Sequence, residues 1–198
     1  MITLNHDTHI YTTDTGERLI SVTQVLNQCG FMDGLKFVDG RYLDYTSGLG
    51  TEIHRVCYLY DTDNLVMDSI DPIVKPYLSA WIEFCEDYNF KSKENELIVS
   101  SKKYSFAGTL DKLGFLSGKL SIIDIKSGSS IQNHVALQTA AYLIACNEQY
   151  KSTKKVRRRF TVRLLSDATY RVQEYKDRGD LTAFLSCISF LNTKRRYS

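Results

Sequence analysis

The chain has only two prolines in 198 residues, and its 11 glycines are scattered, which leaves little room for a disordered linker. No apolar run approaches the ~18 residues that a membrane-spanning helix needs. The opening residues MITLNHD lack the basic and apolar regions of a secretory signal. An intracellular, cytoplasmic setting with no membrane partner is therefore expected. The five cysteines (Cys29, Cys57, Cys85, Cys146 and Cys187) are odd in number and never spaced C-x-x-C. That excludes a zinc ribbon or a cysteine-ligated iron–sulfur cluster and fits free thiols in a reducing compartment. Net charge is only +2, so the total charge excludes nothing.

What is present suits one globular domain with a sizeable core, 43% hydrophobic and 24% charged. The charge is unevenly spread. Residues 151–163 carry seven basic groups and no acidic one, and Lys194-Arg195-Arg196 adds three more. A surface facing a polyanion has this asymmetry, although a solvated face has it too.

Hydrophobic periodicity divides the chain. Residues 10–20 form a hairpin turning at Asp14-Thr15-Gly16, and Ser21-Val22-Thr23-Gln24 has the form of a capping box that opens a helix. A helical stretch over 34–60, with a break near Ser47-Gly48, is expected next. Asp71-Pro72 should start a helix whose buried stripe is Val74, Leu78, Trp81, Phe84, Cys85 and Tyr88. The period then changes to two. Strands are expected over 96–101, 104–116 and 119–126, a helix over 132–149, strands over 156–164 and 169–175, and a last helix over 180–196. In 156–164 the alternation of Val156, Phe160, Val162 and Leu164 with Arg157, Arg159, Thr161 and Arg163 predicts a basic outer face.

The turn at Ser117-Gly118 carries the chemistry. A symmetric hairpin there pairs residues whose numbers sum to 235, which sets Asp111 opposite Asp124 with Cβ atoms about 5 Å apart. Two facing carboxylates repel, and either a divalent cation or a shared proton would relieve them. Lys126, two residues beyond Asp124, leaves the same face of the strand. Two acids, a cation and a lysine are sufficient to hydrolyse a phosphodiester. The second acid-x-lysine triplet, Glu174-Tyr175-Lys176, has no acid opposite it, and the spacing alone means nothing.

Gly108-Thr109-Leu110-Asp111, Ile123-Asp124-Ile125-Lys126-Ser127-Gly128 and Gln138-Thr139-Ala140-Ala141-Tyr142 together resemble the PD-(D/E)XK nuclease superfamily. The likeness runs to its RecB-type branch, which shows G-x-x-D, D-x-K-[ST]-G and Q-x-x-x-Y in this order. Gly50-Thr51-Glu52-Ile53-His54 resembles the upstream glycine and histidine of that branch. Ser21-Val22-Thr23-Gln24-Val25-Leu26 is similar to the opening of the mitochondrial single-strand exonucleases and related phage nucleases. The iron–sulfur cysteines of some relatives are absent.

The resemblance implies an α/β restriction-endonuclease-like core, a mixed central sheet flanked by helices, over 71–198, with an N-terminal hairpin and helical extension over 1–70. It implies that His54, Asp111, Asp124 and the main-chain carbonyl of Ile125 bind Mg²⁺ or Mn²⁺, with Glu96 a further ligand. Lys126 would be the catalytic lysine, and Gln138 and Tyr142 would line the site. The partner would be single- or double-stranded DNA, beside a recombination partner protein. The activity would be an exonuclease of recombination, repair or phage DNA processing. Lys154, Lys155, Arg157, Arg159 and Arg163 are the residues expected to grip the DNA backbone. Tyr42, Tyr45 and Tyr58 could stack on bases.

Overall fold

A computed structural model describes residues 2–5, 8, 10–32, 40–128, 130–150 and 155–197. Three short strands, β1 (Ile2–Asn5), β2 (Ile10–Thr13) and β3 (Arg18–Ser21), lead into helices α1 (Val22–Gln28), α2 (Gly40–Asp61) and α3 (Lys75–Asp87). Strands β4 (Lys91–Ser101), β5 (Phe106–Leu116) and β6 (Lys119–Lys126) follow. The order closes with α4 (His134–Gln149), β7 (Arg158–Leu164), β8 (Tyr170–Glu174) and α5 (Gly179–Arg196). The protein is mixed α/β, a central mixed sheet between helical layers.

Local chemistry explains most boundaries. Ser21 accepts from the Gln24 amide and its own amide donates to the Gln24 side chain, so the capping box is complete. Asp71 does not open α3 directly: its carboxylate accepts from the Ile73 amide in a tight turn, and the helix begins at Lys75 with Pro76 in its first turn. Helix α2 runs unbroken through Ser47-Gly48, and Thr51 returns its hydroxyl to the Ser47 carbonyl within it. Strand β4 starts at Lys91, five residues before the apolar pattern begins, and β1 adds a strand that the pattern did not announce.

The sheet order is β1-β2-β3-β5-β6-β7-β8, with β4 paired to β5. Ser117 and Gly118 both have positive φ, as a two-residue hairpin turn requires, and the ladder pairs Lys112 with Ile123 and Leu116 with Lys119. Strand β4 lines one edge of β5 along nearly its whole length. On the other edge β6 pairs only from Lys112 onward, while β3 pairs in parallel at Phe106 and Ala107. The sheet therefore forks between Gly108 and Asp111. Past the fork β6 continues alongside β7, in parallel register from Ser121↔Arg158 to Lys126↔Arg163.

Two cores fill the two sides of the sheet. Helices α1, α4 and α5 cover one with Val25, Leu26, Phe106, Ile122, Phe184 and Ile188, and α2 and α3 cover the other with Ile53, Trp81, Phe84, Ile123, Ile125 and Val162. The second core holds a buried polar clamp. Lys112 Nζ lies 2.7 Å from Asp61 Oδ2, and Trp81 donates to Asp61 Oδ1 at 2.9 Å. Burial pushes the Asp61 carboxyl up and Lys112 opposes that. Asp61 follows His54 by two turns of α2, so the clamp sets how α2 presents His54 to β5.

Arg159 corrects the expected basic outer face. It is 2% exposed, and its guanidinium donates to the carbonyls of Ala136 and Asp177 and to Asp180. Strand β7 lies between two neighbours beneath α4, so both its faces are covered and the alternation separates two cores rather than core from solvent. Lys155 and Arg157 are exposed just before the strand, Arg163 is half-buried, and Lys154 lies outside the described residues.

Candidate active site

The fork in the sheet brings the predicted residues together. Asp111, at its mouth on β5, accepts the Ile125 amide of β6 at 2.6 Å through Oδ2 and replaces the ladder partner that Ile125 lost. Its other oxygen lies 3.6 Å from His54 Nδ1, and Glu96 Oε1 lies 3.8 Å from the same nitrogen. His54, Glu96 and Asp111 offer ligand atoms that all lie within 4.8 Å of one another.

In the neutral ring of His54 the second nitrogen decides the tautomer. His54 Nε2 lies 3.1 Å from the Ile125 carbonyl, which can only accept, so Nε2 carries the hydrogen. Nδ1 is left with a lone pair facing two carboxylates at distances too long for a hydrogen bond. That arrangement is repulsive unless a cation occupies the space. One nitrogen and two carboxylate oxygens are a fitting donor set for a divalent ion, and a ring N–H held by a carbonyl is the usual support of a ligating histidine. A proton is the competing occupant. The His54 pKa is raised: burial opposes protonation, and the charges of Asp111 and Glu96 outweigh it. Manganese affinity is accordingly expected to fall as pH drops through this raised pKa, as calorimetry at several pH values would measure. An affinity independent of pH would remove His54 as a ligand.

Glu96 reaches this cluster through an unusual backbone. Its φ is +48°, left-handed, in the middle of a strand. The flanking pairs Asn95↔Lys112 and Leu97↔Leu110 place it opposite Asp111. Strand β5 changes phase at the same point. Gly108 packs against Tyr142 of α4, Lys112 reaches Asp61 on the opposite side, and Leu113 returns to the α4 core. Non-glycine residues held in this region cost about 1–3 kcal/mol each, and such strain tends to collect at functional sites. Glu96→Gly is expected to stabilise the fold by about 1 kcal/mol in thermal melts and to weaken manganese binding at least about 10-fold, since even outer-shell partners cost that much. Unchanged binding would take Glu96 out of the site.

Asp124 and Lys126 make the second half. The register brings Asp111 and Asp124 beside each other as expected, but each has its own partner. Lys126 Nζ lies 2.9 and 2.8 Å from the two oxygens of Asp124, which is buried. Burial raises the Asp124 pKa, Lys126 lowers it and the Asp111 charge raises it again. Asp124 therefore stands outside the His54–Glu96–Asp111 group as an ion pair with the lysine, and the Ile125 carbonyl is the acceptor for His54. Both groups border the space that the resemblance assigns to the ion, and the amide of Ile125 holds Asp111 on the histidine side of the fork.

Helix α4 closes the site. Gln138 donates to the Tyr142 hydroxyl at 3.0 Å, and the Tyr142 pKa lies well above the usual phenol, through burial first and then the charges of Asp111 and Asp124. A Cβ on Gly108 would lie 2.7 Å from the Tyr142 ring and 3.1 Å from Val22. The glycine of G-x-x-D thus makes room for the tyrosine of Q-x-x-x-Y. Gly108→Ala is expected to cost about 1–3 kcal/mol in urea unfolding, with a smaller penalty when Tyr142 is also alanine. An additive double variant would disprove the contact. A Cβ on Gly50 or Gly128 meets nothing closer than an ordinary contact.

The sequence reading missed three groups near the site. Lys112 and Asp61 form the clamp under α2. Tyr175 holds its hydroxyl 3.3 Å from that of Thr161, the register partner of Asp124. Tyr175 sits inside the triplet dismissed for lacking an opposed acid, and no local pattern distinguishes it. Glu174 and Lys176 pair with each other, and Glu174 with Arg158, away from the fork. Tyr58 is exposed on α2, and the side chains of Tyr42 and Tyr45 lie outside those described.

No family model and no curated protein matches the chain. Solved structures do. A candidate exonuclease from Eubacterium rectale superposes with a TM-score of 0.55 over 89% of this chain and 79% of its own, at 10% identity. A looser likeness joins LHK-Exo in complex with dAMP, at TM-score 0.41 and 11% identity over 89% of this chain and 87% of that one. At such identity the likeness is one of fold: the mixed sheet flanked by helices is shared with a nuclease-like structure. Among the described residues no helix is long and apolar enough to cross a membrane.

Proposed function

We propose that this protein is a metal-dependent deoxyribonuclease of the PD-(D/E)XK superfamily, RecB-type branch, acting as an exonuclease. One observation carries the reading: the ion pair of buried Asp124 with Lys126 stands beside a histidine whose Nδ1 faces two carboxylates. The order of motifs along the chain and the fold likeness support it. On the resemblance alone we assign it to DNA recombination, repair or phage DNA processing.

His54, Glu96 and Asp111 would hold the cation, Mg²⁺ or Mn²⁺ by resemblance. A divalent cation there supplies Lewis-acid polarisation of a phosphoryl oxygen and an acidified water. The chain's own residues do the rest. Asp124 orients the Lys126 ammonium and keeps it charged, and the Lys126 pKa is raised because the Asp124 and Asp111 charges outweigh burial. The ammonium donates to a phosphate oxygen as negative charge builds on it. Tyr142 stays protonated and Gln138 holds its hydroxyl, so the α4 wall adds no charge beside the phosphate. The Ile125 carbonyl holds the Nε2 hydrogen of His54, which in the neutral ring turns the Nδ1 lone pair toward the carboxylates.

The test incubates end-labelled single- and double-stranded DNA with Mg²⁺, Mn²⁺ or EDTA, beside covalently closed circular DNA. Release of labelled ends with metal, none with EDTA, and survival of the circle are expected. Cutting of the circle would make the enzyme an endonuclease on the same core. No turnover with any metal, together with retained DNA binding, would reduce the protein to a nucleic-acid-binding module.

A further inference from the structure

The triplet Glu174-Tyr175-Lys176 brings its middle residue, not its charged ones, to the candidate active site. The β7–β8 pairing runs one step beyond Glu174, because the Tyr175 amide donates to the Arg159 carbonyl at 3.0 Å. Side chains alternate along a strand, so Tyr175 shares a face with Gln173 and its partner Thr161. Thr161 pairs in register with Asp124, which puts Tyr175 on the face that carries Asp124 and Lys126. The hydroxyl leans along the sheet to lie 3.3 Å from Thr161 Oγ1. Neighbouring strands lie about 4.8 Å apart, so the phenol oxygen stands roughly one strand from the ion pair, on the side away from Asp111.

The ring is held but not packed. The Arg159 guanidinium, itself fixed by Ala136, Asp177 and Asp180, lies over it at 5.8 Å from the ring centre. Tyr175 is half-buried and joins none of the hydrophobic cores, whereas Thr161 beneath it is fully buried. With Thr161 donating, the phenol oxygen accepts on its inner side and turns its own hydrogen toward an arriving group. Burial pushes the phenol pKa up and the Asp124 charge adds to that, against the Thr161 hydrogen bond and the Lys126 charge. The hydrogen therefore stays on the oxygen at neutral pH. Tyr142 differs: it is 4% exposed and its hydroxyl accepts from Gln138.

We propose that Tyr175 is a substrate-contacting residue, whose hydroxyl donates to a phosphate oxygen of a nucleic-acid strand lying against Lys126. This rests on the nuclease reading. The ammonium alongside draws an anion to this place, and a hydroxyl bonds an ionised oxygen more strongly than a neutral one. Lys126 supplies the charge, and Tyr175 adds a neutral donor of fixed direction.

Anisotropy titrations of a labelled single-stranded oligonucleotide in EDTA, at several salt concentrations, test this. Tyr175→Phe is expected to weaken binding about 10-fold, the loss of one hydrogen bond to a charged acceptor. The slope of log affinity against log salt should stay that of the parent, since a neutral group releases no counterion, whereas Lys126→Gln should reduce it by about 0.7. Parental affinity in Tyr175→Phe overturns the contact, and weak binding by Tyr175→Leu alone would make the ring a stacking surface for a base instead. A slope reduced in Tyr175→Phe as far as in Lys126→Gln also overturns it, because the phenol would then act only by holding the lysine. Parent protein that binds in a hydroxyl-dependent way but never cleaves with metal keeps the contact and sinks the nuclease. Cleavage by the parent with undiminished binding by Tyr175→Phe does the reverse. Neither binding nor cleavage overturns both.

Discussion

Replacing Lys126 with alanine is expected to lower metal-dependent cleavage at least about 10²-fold, the cost of removing one group that stabilises transition-state charge, while manganese binding survives. The separation follows from the geometry. Lys126 touches Asp124 and none of the three groups around His54 Nδ1. Without the ammonium Asp124 becomes a buried and unpaired carboxylate, and its pKa, already raised by burial, must rise further. It takes up a proton, which keeps the fold but cannot restore a cation beside the phosphate. His54→Ala should show the complementary pattern, with metal binding and turnover lost together. Calorimetry with manganese and single-turnover cleavage distinguish the two. Full activity in Lys126→Ala would remove the lysine from the mechanism, and loss of metal binding in the same variant would place it among the ligands.

Arg159→Leu is expected to cost about 3–5 kcal/mol of stability, the usual penalty for breaking a buried ion pair from one side. Arg159 satisfies Asp180 and the carbonyls of Ala136 and Asp177, and so joins β7 to the start of α4 and the entrance of α5. Removing the guanidinium leaves all three without their donor and empties the buried space that the Arg159 side chain fills. Urea unfolding should show a lower midpoint at an unchanged slope, since the surface exposed on unfolding hardly changes. The double variant Arg159→Leu/Asp180→Leu should recover part of the loss, because the uncompensated charge is gone. A variant as stable as the parent but weak on DNA would restore Arg159 as a backbone contact.

Legibility differed by kind of contact. The hairpin at Ser117-Gly118 could be read residue by residue because a two-residue turn sets an antiparallel register, and the ladder from Lys112↔Ile123 to Leu116↔Lys119 follows it. The capping box at Ser21 is equally local. Glu96 was legible only through the family resemblance. Its left-handed backbone exists because two strands change phase together opposite Asp111, and no pattern within 91–101 announces that. Arg159 was misjudged for a related reason: alternation shows that a strand has two different faces but not what covers each. The Lys112–Asp61 clamp joins residues 51 positions apart and lies beyond any periodicity.

Composition, the turn and the spacing of Asp111, Asp124 and Lys126 were enough to determine an α/β chain with two acids and a lysine at one point of its sheet. Side-chain alternation and hairpin register are short-range consequences of backbone geometry, so they survive translation from sequence. Only the tertiary structure decided how those groups divide. Where β6 parts from β5, the freed amide of Ile125 takes Asp111 to the histidine side and leaves Asp124 to the lysine. That division depends on a strand losing its neighbour, an event set by the whole sheet rather than by any segment of it.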